Sequence, residues 1–280
     1  MIDLHSHTTA SDGTLTPTEL VDLAKEIGLE AVAITDHDAV GGLAEAMAEG
    51  ERIGIEVIPG IEINTKYEGR NVHMVGLYID KDSAAVDEMS RKIISIRHAR
   101  NHKIYEKLRE LGVDISEADF SSDPLHVVTR GEIGRKMVEK GFCDSVQEAF
   151  YLYLEKGGPA YIPRQSMTPK EACDIIHGAG GVAIVAHLYQ IGDFDLEDSE
   201  RICRIILDEG ADGLETRYSK FTPRIQELAE KIADEYGCLR SGGSDFHGST
   251  KPDISLGTGG GNLSVPYEYL SAIKKRLGRE

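Results

Sequence analysis

The 280-residue chain has no tryptophan, and charges or glycines interrupt every apolar stretch. None approaches the roughly 20 residues that a membrane-spanning helix needs, so no membrane association is expected. The first residues show no basic region followed by an apolar core, so no secretory signal is expected. Cysteine is scarce: Cys143, Cys173, Cys203 and Cys238 are scattered, with no C-x-x-C pair. That spacing argues against a thiolate metal site and fits buried thiols in a reducing, cytoplasmic setting. Cations are also in deficit, 31 Lys and Arg against 48 Asp and Glu, for a net charge of −17. Such a surface disfavours duplex DNA and long RNA. A small phosphorylated substrate remains compatible, because a local cluster of cations can reverse the field inside a cleft. No residue pattern specifies an oligomeric state.

Short apolar runs alternate with amphipathic stretches. The expected strands are "MIDLH", "AVAIT", "EVIPGIEI", "VHMVGLYI", "GVAIVAH", "GLET" and "CLRSGGSD". The segments between them read as helices. In "TPTELVDLAKEIG", Thr16 is placed as an N-cap, Pro17 as the first helical residue and Glu19 as the partner in a capping box, with Gly28 as the stop. "TPKEACDIIHGAGG" repeats the plan with Thr168, Pro169 and Glu171. Strand–helix alternation of this kind predicts an α/β fold with a parallel sheet, and seven strands favour closure into a barrel. Between 91 and 164 the alternation stops. "SRKIISIRHARNHKIYEKLRELG", "TRGEIGRKMVEKG" and "SVQEAFYLYLEKG" are helical in pattern, so residues 1–90 and 165–280 are expected to form the barrel and 91–164 a helical insertion.

Chemistry-bearing residues recur at the strand ends. They are His5, His7 and Asp12 after the first strand, His37 after the second and Glu62 on the third. His73 lies on the fourth, His187 after the fifth, and Asp245 and His247 after the last. In α/β barrels the C-terminal strand ends form one face, where sites are built. Neutral imidazoles and carboxylates bind divalent transition ions. Six histidines and three carboxylates exceed one tetrahedral site, so two or three ions are expected, and a glutamate such as Glu62 can bridge two of them. Clustered ions activate water and clamp a phosphoryl group.

The stretches "DLHSHTTASDGTLTP", "AITDHD", "VIPGIEI", "VHMVGLYI", "GGVAIVAH" and "GSDFHG" together resemble the polymerase and histidinol phosphatase (PHP) superfamily. They occur in that family's order and span nearly the whole chain. The helical segment and "YLEKGGPAYIP" look like its stand-alone, TrpH-like phosphoesterases. The resemblance implies a distorted seven-stranded (β/α) barrel of PHP type with a helical inserted domain covering the active site, and hydrolysis of phosphate esters by a metal-bound hydroxide. It implies that His5, His7, Glu62 and Asp245 hold one ion, Glu62, His73 and His187 a second, and Asp12, His37 and His247 a third. Manganese, iron or zinc suits these ligands better than oxygen-seeking magnesium. Two departures from the family pattern stand out: Leu188 follows His187 where relatives have proline, and "TRGE" replaces T-R-P-H at Thr129–Glu132.

The expected catalytic residues are Asp245 with His187 and His247, the two histidines being candidates to protonate the leaving oxygen. Phosphate recognition needs cationic groups beyond the metals. Arg130 and Arg217 are the first candidates, followed by Arg164 and Arg135, with Lys66 weaker. The expected substrate is a nucleotide or sugar phosphate. Alternatives are a cyclic phosphodiester, short RNA attacked from its 5′ end, histidinol phosphate, or no substrate at all in a non-catalytic metal-binding module. His98 and His102 in "HARNH" share one helix face, but Ala99 stands where a zinc-protease helix has glutamate, so a solvated face is expected. "GTGGGN" lacks the G-K-[ST] ending of a phosphate loop and is expected to be a turn. Ser6 and Ser244 are not expected to be nucleophiles, since no G-x-S-x-G elbow is present. His126 and His177 are expected to be structural or without a role.

Overall fold

The computed structural model describes residues 1–120, 128–163, 165–192 and 194–279. The chain divides into two compact units, Met1–Glu88 with Met167–Glu280, and Met89–Ser166. No helix among the described residues is long and apolar enough to cross a membrane.

The first unit contains seven strands: β1 (Ile2–Asp3), β2 (Ala31–Ile34), β3 (Glu56–Tyr67), β4 (Arg70–Leu77), β5 (Val182–Val185), β6 (Gly213–Tyr218) and β7 (Leu239–Gly243). They pair in sequence order. The Leu4 amide donates to the Gly242 carbonyl at 3.1 Å and the Asp245 amide donates to the His5 carbonyl at 2.9 Å, so the last strand meets the first and the barrel is nearly closed. Helices α1 (Pro17–Glu26), α2 (Leu43–Ile53), α6 (Pro169–Gly178), α7 (Leu196–Asp208), α8 (Pro223–Tyr236) and α9 (Tyr267–Arg276) belong to this unit. Ile2, Leu4, Ile58, Leu77 and Ile184 share one core with Leu270 and Ile273 of α9. Each such buried side chain stabilises by about 1.5–3 kcal/mol.

All seven expected runs are strands, but the sheet is mixed rather than parallel. β4 is antiparallel to both β3 and β5. A parallel crossover needs a dozen residues or more. Only Glu68 and Gly69 separate β3 from β4, and both have positive φ, 48° and 80°. That is the conformation of a two-residue hairpin turn.

The helix signals act as written in the sequence. The Thr16 side chain accepts from the Glu19 amide and the Glu19 carboxylate accepts from the Thr16 amide, with Pro17 at the first helical position. Thr168, Pro169 and Glu171 repeat the arrangement at α6. Such a cap stabilises by about 1 kcal/mol. At α1 it also fixes where the loop carrying His5, His7 and Asp12 ends.

Every regular element among the described residues of the second unit is a helix. This unit holds the greater part of α3 (Ala84–Glu110), then α4 (Arg130–Glu139), α5 (Val146–Ala149) and a π-helical turn, Phe150–Leu154. Its own core includes Ile104, Leu108, Ile133, Met137 and Leu154.

Candidate metal centre

The nine strand-end residues meet. His5 and His7 follow β1, His37 follows β2, His187 follows β5, and Asp245 and His247 follow β7. His73 is early in its strand, which would put it at the wrong end of a parallel barrel. The reversal of β4 corrects this: His73 pairs in register with Asn64, two residues beyond Glu62 on β3.

Glu62 is the hub. Its Oε1 lies 2.8 Å from His73 Nδ1 and 2.9 Å from His187 Nε2. Its Oε2 lies 2.9 Å from His37 Nδ1 and 3.3 Å from Nε2 of both His5 and His7. Asp245 Oδ1 is 3.3 Å from His7 Nε2, 3.4 Å from His247 Nδ1 and 3.8 Å from His5 Nε2. Asp12, the exposed member, reaches His247 Nε2 at 3.3 Å, His7 Nδ1 at 3.8 Å and His37 Nε2 at 3.9 Å.

Sequence reading missed the groups that hold these ligands. Glu215, buried on β6, lies 2.7 Å from His5 Nδ1 and accepts the His187 amide at 2.6 Å. A proton held between Glu215 and His5 Nδ1 leaves the lone pair on His5 Nε2, the nitrogen facing the centre. The Tyr218 hydroxyl at 2.7 Å and the Lys251 ammonium at 2.8 Å both donate to Asp245 Oδ2, so Oδ1 faces the histidines. Buried Asp3 accepts from the Ser244 amide and hydroxyl and from the His5 and Gly257 amides, tying β1 to β7. One signal was legible: Glu215 is the charged residue inside the expected strand "GLET". His187 and Asp245 adopt positive φ, 27° and 56°. Non-glycine residues persist there only where the surrounding structure enforces it, commonly at functional sites. Gly243 admits no side chain, because a Cβ would lie 2.4 Å from His5.

Two observations show that the residues fit divalent cations. His5 Nε2, His7 Nδ1 and Nε2, His187 Nδ1 and Glu62 Oε2 are buried without a hydrogen-bond partner. Unpartnered buried polar atoms are rare and costly, and here they crowd one place. Ligand atoms of His7, Asp12, His37 and His247, of His5, His7 and Asp245, of His5, Glu62 and His187, and of His37, Glu62 and His73 each lie within 4.8 Å of one another. Electrostatics agree. Burial would raise the pKa of Glu62, but His5, His73 and His37 outweigh it and hold it well below the carboxylate range. Burial opposes charge on His5, yet Glu215 and Glu62 raise its pKa well above 6.5. The cluster therefore favours positive charge at its centre. Substituting Glu215→Gln is expected to weaken ion binding by about 10–100-fold with the fold retained, as read by metal titration and circular dichroism. Unchanged affinity would remove Glu215 from this role.

The arginines are placed differently from the ligands. Arg217 was a first candidate for phosphate recognition. Its side chain instead pairs with Glu230 of α8, which Arg240 also contacts at 2.8 Å. Arg130 belongs to the second unit, where its guanidinium lies 5.3 Å from the Tyr161 ring centre and donates to the Leu154 carbonyl at 3.3 Å. Arg135 is exposed on α4. Arg164 and His126 lie outside the described residues. Lys66 is half-buried on β3. His98 faces Glu117 at 3.7 Å and His102 faces Glu106 at 3.4 Å. His177 pairs with Asp212 at 2.6 Å. The Ser6 hydroxyl donates to the Ala33 carbonyl and the Ser244 hydroxyl to Asp3, so neither is paired with a histidine. Gly257 to Asn262 form turns and a bridge, as expected.

A nearly closed barrel carrying this centre defines the class, a metal-dependent phosphoesterase. The PHP domain family matches residues 3–154, and the chain belongs to that family. It is 36% identical over 262 residues to the 5′-3′ exoribonuclease Rnm of Escherichia coli strain K12, covering 91% of this chain and 87% of that one. It is 34% identical over 260 residues to the 3′,5′-nucleoside bisphosphate phosphatase of Chromobacterium violaceum, covering 88% and 87%. A solved structure from Bifidobacterium adolescentis, assigned as a metal-dependent phosphoesterase, superposes with a TM-score of 0.72 at 30% identity, covering 98% of this chain and 96% of that one.

Proposed function

We propose that the protein hydrolyses phosphate esters of nucleotides or other small phosphorylated metabolites, using two or three manganese, iron or zinc ions. The observation that carries this reading is Glu62, whose two oxygens sit among five imidazoles from His5, His7, His37, His73 and His187. A carboxylate so placed is built to bridge cations. The sharing proposed is His5, His7, Glu62 and Asp245 for one ion, Glu62, His73 and His187 for a second, and Asp12, His37 and His247 for a third. Bound ions supply Lewis-acid neutralisation of the phosphoryl oxygens and water activation at neutral pH.

The chain's own residues supply the rest. Tyr218 and Lys251 fix the Asp245 carboxylate, so Oδ1 is presented in one orientation. Glu215 fixes the His5 ring. Of the histidines proposed for proton transfer to the leaving oxygen, His187 is engaged with Glu62, whereas His247 meets the exposed Asp12. His247 is therefore the proposed donor when only the first two ions are bound and the group of Asp12, His37 and His247 holds none.

The relatives act, by their names, on RNA from its 5′ end and on nucleoside bisphosphates. That favours nucleotide esters over histidinol phosphate and keeps short RNA as the second reading. The test is phosphate release by manganese-loaded protein from nucleoside monophosphates, 3′,5′-bisphosphates, cyclic phosphates, sugar phosphates, histidinol phosphate and a short 5′-phosphorylated RNA, with ions counted in the same sample. Chelator-sensitive turnover of a nucleotide or RNA is expected. Two or three bound ions without turnover of any ester would make the protein a non-catalytic metal-binding module.

A further inference from the structure

An aromatic wall runs away from the metal centre. The Tyr218 ring lies 5.5 Å from that of His187, and its hydroxyl holds Asp245. Tyr189 follows at 5.9 Å from Tyr218, and Phe194 at 5.5 Å from Tyr189. Phe221 backs the wall, 5.4 Å from Tyr218 and 6.3 Å from Tyr189. The Gln190 amide donates to the hydroxyls of both Tyr189 and Tyr218 at 3.2 Å, which fixes the two rings.

The outer end of the wall is odd for a packing cluster. Tyr218 and Phe221 are buried, but Phe194 is 75% exposed. Phe194 also has a φ of 73°. A bulky residue at positive φ is a backbone outlier, and such outliers concentrate at ligand sites. Core packing explains neither the exposure nor the conformation. A flat, apolar face held outward, joined ring by ring to a phosphoester centre, suits a flat, apolar ligand group attached to a phosphate.

We propose that Phe194 and Tyr189 form a stacking platform for the nucleobase of the substrate, with the ester phosphate at the metal centre. The proposal rests on the phosphoesterase reading and narrows it to esters that carry a base. Stacking on an aromatic face tolerates every base, so the platform selects nucleotides as a class rather than one nucleobase.

The experiment compares kcat/KM for adenosine 3′,5′-bisphosphate and for the base-free ribose 3,5-bisphosphate. The wild type favours the nucleotide, and Phe194→Ala and Phe194→Leu lower that ratio about tenfold. Phe194→Trp restores it, since indole keeps the π-face. The exposed position leaves the fold intact in each variant, which thermal melts check. A wild type with no preference, or a ratio unmoved by Phe194→Ala and Phe194→Leu, overturns the platform while the phosphoesterase reading stands. If neither ester is hydrolysed, the phosphoesterase reading itself fails and binding decides. Phe194→Trp introduces the only tryptophan of the chain. Its fluorescence is expected to be quenched by adenosine monophosphate and not by ribose 5-phosphate. Equal responses, or none, overturn the proposal.

Discussion

Glu62→Gln is expected to lower kcat/KM by about 10³-fold or more, together with the ion content of the purified protein. Glutamine keeps the shape of the side chain and removes its charge. An amide cannot offer two anionic oxygens, and its NH2 group would face imidazole nitrogens now within 3.3 Å of the carboxylate. Glu62 meets five of the other ligands through its two oxygens. The measurements are steady-state turnover of the best ester found and metal analysis of the same preparation, with circular dichroism to establish the fold. Near-normal ion content with full activity would remove Glu62 from the centre, and with it the bridging arrangement.

The second large effect is on stability. Ions that bind only the folded chain stabilise it by mass action, about 4 kcal/mol at a thousandfold excess over Kd. Chelation is therefore expected to lower the melting temperature on the order of 10 °C. The gap also depends on pH. In chelated protein, burial opposes charge on His5 and His7, but Glu215 and Glu62 raise the first and Asp245 and Glu62 the second above 6.5. A raised folded-state value means that this stabilisation is complete below 6.5 and fades as pH climbs through the raised values. His73, whose charge burial disfavours, runs the other way and offsets part of the trend. Ion binding has the opposite dependence, because protons compete for the same nitrogens. The melting-temperature gap between loaded and chelated protein is thus expected to widen as pH rises above 6.5. A gap that narrows would show that these imidazoles are not the groups exchanging protons for ions.

The strands and all nine centre residues could be read from the sequence because most stand where an apolar run stops at a charged or titratable group, with Glu62 and His73 inside their strands. Two features could not. The direction of β4 depends on two turn residues, Glu68 and Gly69, and strand periodicity is the same in either direction. Arg217 was misplaced because side chains alternate along a strand, so Glu215 and Arg217 should share a face. A bulge between them breaks the register: Glu215 pairs with Ser241, and Arg217 with the very next residue, Gly242. The extra residue turns Arg217 toward α8 and Tyr218 toward Asp245. Tyr218 and Lys251 carry no signal in the sequence, because their contacts with Asp245 depend on that bulge and on the path of the chain after β7.

The closing of β7 onto β1 also has a temporal consequence. His5 and His7 are synthesised before Asp245 and His247, with five of the barrel's strands, β2 to β6, made in between. A domain generally folds as a unit, once its parts have been synthesised. The earliest-made ligands must wait, flanked by a two-residue β1 that lacks its β7 neighbour. A complete centre therefore cannot form until β7 and the residues that follow it have been made.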